Sequence, residues 1–399
     1  MRVTHLSPSG EIGGAERVIL ECLAVDAAVH NSVVTLADGP FLRAAETYGA
    51  STRCVPMPES LAAAGDAFDS TAGAARALLP TLWALPEFSR RFSRALVDDG
   101  PDLIHSHGIK THVLSAMQSR RAPVVWHLHD YLSTRSASSK LLRLLGRRCA
   151  LAIAVSDSVA RDARRVLPAS VPVMVVHNSV DVDRFVPSGP AVDLDALSGL
   201  AAAPRGTVRI GLPATFAKWK GHDVFLHAVA RLRHSGVRAY IVGGPVYRTR
   251  NSQWTRIELE AIVERLGLRG QVGFAGLVDD MPSVYRALDI VVHASTRPEP
   301  FGLVIAEALA CGRPLIASRE GGAGELFADG VHALAAPGSD AAALAAAIDR
   351  LTGNQQEREA FGIAGRAHAI RAFSRERFAA DLRSALAVLT ASAPALEFV

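Results

Sequence analysis

The chain has 399 residues, of which 49% are apolar and 21% charged. That is enough for two or three domains with cores of their own, and it excludes a disordered chain. Forty-three basic against 39 acidic residues leave a net charge of +4, too small and too scattered an excess for a nucleic-acid binder, though compatible with anionic ligands or an anionic membrane surface.

Short β-type runs alternate with helical runs along the whole chain. "RVTHLS" (2–7) reads as a strand, followed by a Gly-rich turn and a helix beginning near Ala15. Further strands are expected at 32–37, 102–107, 123–129, 151–156 and 171–179. Their apolar runs are continuous rather than alternating, as in parallel sheets covered on both faces. The stretch 187–206, "PSGPAVDLDALSGLAAAPRG", has no strand pattern and reads as a surface linker or excursion. The β/α rhythm then restarts, with strands expected at 207–214, 237–244, 271–276, 289–295 and 313–318, and the chain is nearly all helix beyond Ser339.

Two sets of βα units predict an α/β protein of two doubly wound, Rossmann-like domains facing across a cleft. The expected division is 1–185, 186–372, and a C-terminal helix at 373–399 packing back on the N-terminal domain. Ligands of such sheets bind beyond the C-terminal ends of the strands. Cys22, Cys54, Cys149 and Cys311 form no C-x-x-C pair, which argues against a zinc site or a disulfide framework. The N-terminus lacks the apolar core of a signal peptide and no run approaches a membrane span, so a cytoplasmic protein is expected. Two basic, apolar segments, 78–92 and 136–150, have the composition of membrane-surface helices, which would place the protein peripherally at the inner face; most such helices simply cover a sheet.

"RPEPFGLVIAEALACG" (297–312) carries the most chemistry. A helix starting near Phe301–Gly302 presents unpaired N–H groups and positive dipole to an anion, and Gly302 has no side chain in the way. Glu299 lies in the preceding loop and Glu307 two turns in, where each could hold hydroxyls. On spacing alone, a solvated Glu299 and a paired core Glu307 are an equally good reading.

The surroundings decide between them. "PEPFG" with "LVIAEALACGRPLIAS" resembles the donor-site signature of glycosyltransferase family 4, which are retaining, sugar-nucleotide-dependent enzymes of the GT-B fold. "GGAER", "HNSVDVDRF", "KWKGHDVFLHAVARL" and "LVDDMPSVY" extend the resemblance over nearly the whole chain. It implies that Glu299 contacts hydroxyls of the transferred sugar and Glu307 those of the ribose. The backbone amides of Phe301, Gly302 and Leu303 would receive the diphosphate, Lys220 would add positive charge, and Val278 would lie by the base. Gly13 and Gly14 would close over the donor, and His129 would face sugar and acceptor. The co-substrate implied is a nucleotide-diphosphate sugar and the partner an acceptor hydroxyl on a glycan, a lipid-linked sugar or a small metabolite. No cofactor and no essential metal are expected.

One position departs from the pattern. Thr215 stands where the family usually has an arginine, five residues before Lys220, so a bidentate cation is missing. Lys218 is the expected substitute; the alternatives are the basic segment 247–250 or a donor site that binds more weakly than usual. The D-x-D run Asp181-Val182-Asp183 falls at the domain junction and is expected to serve the linker rather than a metal. His105, His107, His127, His129, His177 and His293 sit at strand ends. Strand alternation places His105 with His107, and His127 with His129, on a common face. Some of them are expected to be buried and hydrogen-bonded, with His129 reaching the cleft and His107 the next candidate for a site role. Rival readings are a 2-epimerase, a phosphorylase, or a sugar-nucleotide binding protein without transferase activity.

Overall fold

The computed structural model describes residues 1–25, 29–59, 71–134, 136–246 and 252–391, with the side chains of 71–83, 136–137 and 390–391 left undescribed. The chain forms two compact units, Met1–Asn178 with Phe378–Val399, and Ser179–Arg377. The boundaries thus fall several residues from 185/186 and 372/373.

The N-terminal unit holds a seven-stranded parallel sheet. Its strands are β1 (Arg2–Ser7), β2 (His30–Thr35), β3 (Ser51–Cys54), β4 (Leu103–His107), β5 (Val124–Leu128), β6 (Leu151–Ala154) and β7 (Val173–Val175), in the order β3-β2-β1-β4-β5-β6-β7. Both faces of the central strands are buried: Val124, Val125 and Trp126 are all inaccessible. This is why the sequence shows apolar runs rather than alternation. One face packs Val3, Leu103, Val125, Leu151 and Ile153 against Val18 and Cys22 of the helix Gly14–Val25. Phe378, Leu382 and Ala385 of the last helix, Arg375–Ala391, complete the same cluster.

The C-terminal unit holds a six-stranded parallel sheet. Its strands are β8 (Val208–Pro213), β9 (Val237–Val242), β10 (Val272–Gly276), β11 (Ile290–His293), β12 (Leu315–Ala317) and β13 (Leu334–Ala335), in the order β10-β9-β8-β11-β12-β13. The order reverses between β8 and β11, and crevices open at the C-terminal edge of such a switch point.

The 187–206 stretch is not a free linker. It contains a short helix, Leu194–Leu197, capped by the Asp193 side chain, with Leu194 and Asp195 buried. The Asp195 carboxylate accepts hydrogen bonds from Tyr240 Oη (2.7 Å), Arg238 Nη1 (2.6 Å) and the Ala203 N–H (2.9 Å). Burial pushes this carboxyl up, but the Tyr240 and Arg238 hydrogen bonds outweigh it and hold it low. Polar residues that look like linker composition are here the ties that fasten the segment to β9.

Asp181, the first residue of the D-x-D run, accepts from the N–H groups of Asp183 and Arg184 and pairs with Arg375 at 2.8 Å. The segment 136–150 contributes the helix Ser136–Leu145, in which Leu142 is buried while Leu141 and Leu144 are exposed. The segment 78–92 lies within the helix Thr71–Asp99, whose Phe88 and Phe92 are buried and stack at 6.1 Å. Among the described residues no helix is long and apolar enough to cross a membrane.

Candidate active site

The loops that follow β8 and β11, the two strands at the switch point, meet around one buried carboxylate. Lys220 ends a single 3-10 turn, Lys218–Lys220, after β8. Gly221 follows with φ +74, and a Cβ there would stand 2.0 Å from the Ala294 carbonyl oxygen. Only glycine lets the turn close that tightly on the end of β11. Thr296 fastens the same contact by donating its N–H to the Trp219 carbonyl at 2.7 Å.

This brings the Lys220 ammonium onto both oxygens of Glu299, at 2.9 and 2.8 Å. Glu299 Oε2 also receives Ser295 Oγ at 2.7 Å and His293 Nε2 at 3.2 Å. A carboxylate only accepts, so His293 carries its proton on Nε2 and takes the Ser318 hydroxyl on Nδ1, 3.2 Å away. The Glu299 backbone is pinned as well, donating to the Glu320 carbonyl at 3.0 Å and accepting from the Gly322 N–H at 2.7 Å. Burial pushes the Glu299 carboxyl up; the Lys220 ammonium and His293 more than offset this and hold it well below the usual range. It is 7% exposed and ionised.

Three residues on, Gly302 adopts φ +102 and starts the helix Leu303–Ala310. The first helical bond runs from the Ile305 N–H to the Gly302 carbonyl, so the amides of Gly302 and Leu303 lie ahead of the ladder, at the positive end of the dipole. Phe301 is buried edge-on against Phe373, with ring centroids 5.9 Å apart, which fixes the approach to the helix. Glu307 is buried one face round the helix and accepts the Tyr285 hydroxyl at 2.6 Å. Glu299, Lys220, Phe301, Gly302, Leu303 and Glu307 therefore belong to one constellation in the C-terminal unit. Lys220, expected to meet phosphate, lies on the carboxylate expected to meet the sugar.

Thr215 and Lys218 are placed differently. Thr215 Oγ1 is buried with no hydrogen-bond partner among the described residues. Lys218 is exposed and holds its ammonium 5.0 Å over the Trp254 ring, while its N–H donates to the Ser252 carbonyl. That cation–π contact gives Lys218 a partner of its own, away from the Lys220–Glu299 pair. The alternative basic segment, 247–250, lies outside the described residues. Val278 is half-buried in the loop that leaves β10.

In the N-terminal unit, Gly14 opens its helix and Gly13 precedes it, with the Gly13 N–H already donating to Glu16 Oε2 at 3.1 Å. The other Glu16 oxygen accepts from Ser7 Oγ at 2.7 Å. His129 follows β5, is partly buried, and is joined to His107 by a 3.0 Å contact between Nε2 and Nδ1. His105 and His107 share a face with ring centroids 4.4 Å apart, and His127 and His129 do so at 4.6 Å, as strand alternation requires. His177, beyond the end of β7, lies outside this group. Burial lowers His129 to about 3.

A groove of about 930 Å³ elsewhere in the C-terminal unit is lined by Val208, Asp289 and Pro314, at the opposite, N-terminal ends of the strands. Its Arg313, Arg358 and Arg366 spend their guanidinium groups on backbone carbonyls, so among the described residues none of the three is left free for a diphosphate.

Residues 204–368 match the family described as Glycosyl transferases group 1, and residues 12–184 match Glycosyltransferase Family 4. The chain belongs to glycosyltransferase family 4. Its two parallel-sheet units are those of the GT-B fold. Among curated relatives of this family-4 chain, the D-inositol 3-phosphate glycosyltransferase of Mycobacterium sp. (strain JLS) is 35% identical over 179 residues, 44% of this chain and 38% of that protein. The protein of the same description from Streptomyces bingchenggensis is 30% identical over 312 residues, 70% and 65% of the two chains. The match thus spans well under half of the first relative's length. Among solved structures, Anabaena HepE in complex with UDP-glucose superposes with a TM-score of 0.80 at 26% identity, covering 97% of this chain and 99% of that one.

Several site residues escape the sequence reading. Tyr285 and Ser318 close the stretches "LVDDMPSVY" and "LVIAEALACGRPLIAS" without a role of their own there, Ser295 lies in no motif, and His5 enters the histidine cluster only because β1 pairs with β4 in the register His5↔His105. Ser295 could have been found from its place two residues after His293 at a strand's C-terminal end.

Proposed function

We propose that the protein transfers a sugar from a nucleotide-diphosphate sugar to an acceptor hydroxyl with retention of configuration and without an essential metal. The observation that carries this reading is the constellation around the helix Leu303–Ala310: an ionised, four-fold hydrogen-bonded Glu299, the Lys220 ammonium, amides ahead of the helical ladder, and Glu307 on the same helix.

As the bond between sugar and diphosphate breaks, negative charge grows on the leaving phosphate. The helix start and Lys220 stand ready to stabilise it without reorganising, and such preorganised stabilisation supplies most of the rate enhancement in many enzymes. Glu307, its second oxygen steadied by Tyr285, takes the ribose hydroxyls. No carboxylate is assigned as a nucleophile; the acceptor attacks from the face the phosphate leaves, and the phosphate takes its proton. The family resemblance gives His129 the role of facing the sugar. The UDP-glucose complex of HepE makes UDP-sugars the first donors to try, and the names of the curated relatives make a phosphorylated cyclitol the first acceptor.

The test is release of nucleoside diphosphate from UDP-sugars with that acceptor, with and without EDTA, followed by NMR of the product's anomeric proton. Retained configuration and EDTA-insensitive turnover are expected. An inverted product or a strict metal requirement would overturn the mechanism, and absence of turnover with every donor and acceptor would return the chain to a binding role.

A further inference from the structure

Five imidazoles occupy one face of the N-terminal sheet where β1, β4 and β5 end: His5, His105, His107, His127 and His129. They continue the ladder of Val3, Leu103, Val125 and Leu151 that packs the rest of that face. Three of them form an unbroken chain. His129 Nε2 lies 3.0 Å from His107 Nδ1, His107 Nε2 lies 3.4 Å from His5 Nδ1, and His5 Nε2 lies 3.3 Å from Asn31 Oδ1. Burial keeps the rings neutral, lowering His5 to about 4 and His129 to about 3. Each ring therefore holds one proton and one lone pair.

The polarity of the chain is set at its far end. Asn31 spends its amide nitrogen on the Val29 carbonyl (3.4 Å), so the oxygen facing His5 can only accept. His5 must then carry its proton on Nε2 and offer Nδ1 as the acceptor. His107 must donate from Nε2 and accept on Nδ1, and the partner able to donate to that nitrogen is His129 through Nε2.

We propose that Asn31, His5 and His107 are positioning residues that hold His129 in the tautomer protonated on Nε2, leaving Nδ1 as its hydrogen-bond acceptor. A hydroxyl of the transferred sugar would then donate to Nδ1, a geometry that a freely exchanging imidazole would offer only part of the time. The functional half of this rests on the sugar-facing role given to His129 above; the chain itself does not. His105 Nε2 and both nitrogens of His127 have no partner among the described residues, so they add bulk to the face but no competing donor to the chain. The rival occupant is a transition metal, because His107, His127 and His129 bring one nitrogen each within 4.8 Å of one another. A metal there would take the nitrogens that the chain uses.

The experiment is a long-range 15N–1H correlation spectrum of the full-length protein labelled on histidine, with His129 assigned from the spectrum of His129→Gln. At pH 7 His129 is expected to show a protonated Nε2 and a bare Nδ1. Asn31→Leu, which removes the anchor, should mix the two tautomers, while Asn31→Asp, which keeps an acceptor, should preserve the wild-type pattern. Asn31→Leu should also lower kcat by about tenfold, since a wrong tautomer removes a hydrogen bond at the reacting centre, with the donor KM unchanged. A His129 protonated on Nδ1, or a tautomer indifferent to Asn31→Leu, overturns the proposal. So does stoichiometric binding of Zn2+ that shifts the nitrogens of His107, His127 and His129 together. If the tautomers behave as stated but His129→Gln turns over normally, the chain stands and the sugar-facing role of His129 falls.

Discussion

In the N-terminal unit the ends of β1, β4 and β5 gather five imidazoles held mainly by one another, four of them buried and His129 partly so, and three of their nitrogens have no partner among the described residues. In the C-terminal unit the ends of β8 and β11 bury a carboxylate surrounded by donors. The first arrangement is stable only while it stays uncharged; the second only while it stays charged. A buried base without an acid to pair with gives up its proton, whereas a buried acid beside a lysine keeps its charge. One unit offers neutral, orientable hydrogen-bond groups and the other a fixed field.

The largest way to break this contrast is Lys220→Met, which strands the Glu299 charge in a buried site. Removing one partner of such a pair costs about 3 kcal/mol or more, and turnover should fall by roughly a hundredfold. Chemical denaturation and initial rates measure both. A variant as stable as the wild type would mean that His293 and Ser295 alone carry Glu299.

Acid titration separates the units next. The cluster histidines titrate far below the unfolded 6.5 in the folded chain, with His5 at about 4 and His129 at about 3. Below pH 6.5 the unfolded chain binds protons that the folded one refuses, so stability falls with falling pH down to about 3. Each such histidine costs roughly 1.4 kcal/mol per pH unit in that window. Urea melts from pH 7 to 5 should show the N-terminal unit losing stability first, and His127→Leu should flatten the slope by about one proton. Parallel loss in both units would contradict the difference drawn between them.

Tyr285→Phe is a finer probe. It removes a single hydrogen bond to a buried carboxylate, worth about 1.5–3 kcal/mol. Nucleotide affinity should weaken by about tenfold while kcat changes little, as steady-state kinetics would show. Smallest of all, Asp181→Ala removes a partly exposed pair with Arg375, for which about 0.5 kcal/mol and unchanged activity are expected. A larger loss of activity, rescued by a divalent cation, would make the D-x-D run a metal ligand after all.

Much of the fold is legible in the sequence because buried parallel strands write themselves as apolar runs; β1 and β8 lie within a residue of where those runs place them. β3 is missed because Ser51–Cys54 is a polar edge strand with alternate residues exposed, and β13 because two residues make no pattern. The 187–206 stretch misleads because Asp195 reads as a linker residue until Tyr240 and Arg238, more than 40 positions away, come to meet it. The site divides in the same way. Glu299, Gly302 and Glu307 stand together on a local motif, whereas His293, Ser318 and Tyr285 reach them only through the folded chain. Lys218 is a neighbour of Lys220 by count, yet one 3-10 turn sends it to Trp254.

The most direct measurement is calorimetric titration of the protein with UDP-glucose and its GDP, ADP and TDP counterparts, in EDTA, beside Glu307→Ala. One sugar nucleotide should bind the wild type at a single site, and at a hundredfold excess over its Kd should add about 2.7 kcal/mol to the stability of the fold. That binding should be lost in Glu307→Ala. Equal binding by both proteins would show that the nucleotide sits elsewhere and that the helix Leu303–Ala310 is not the donor site.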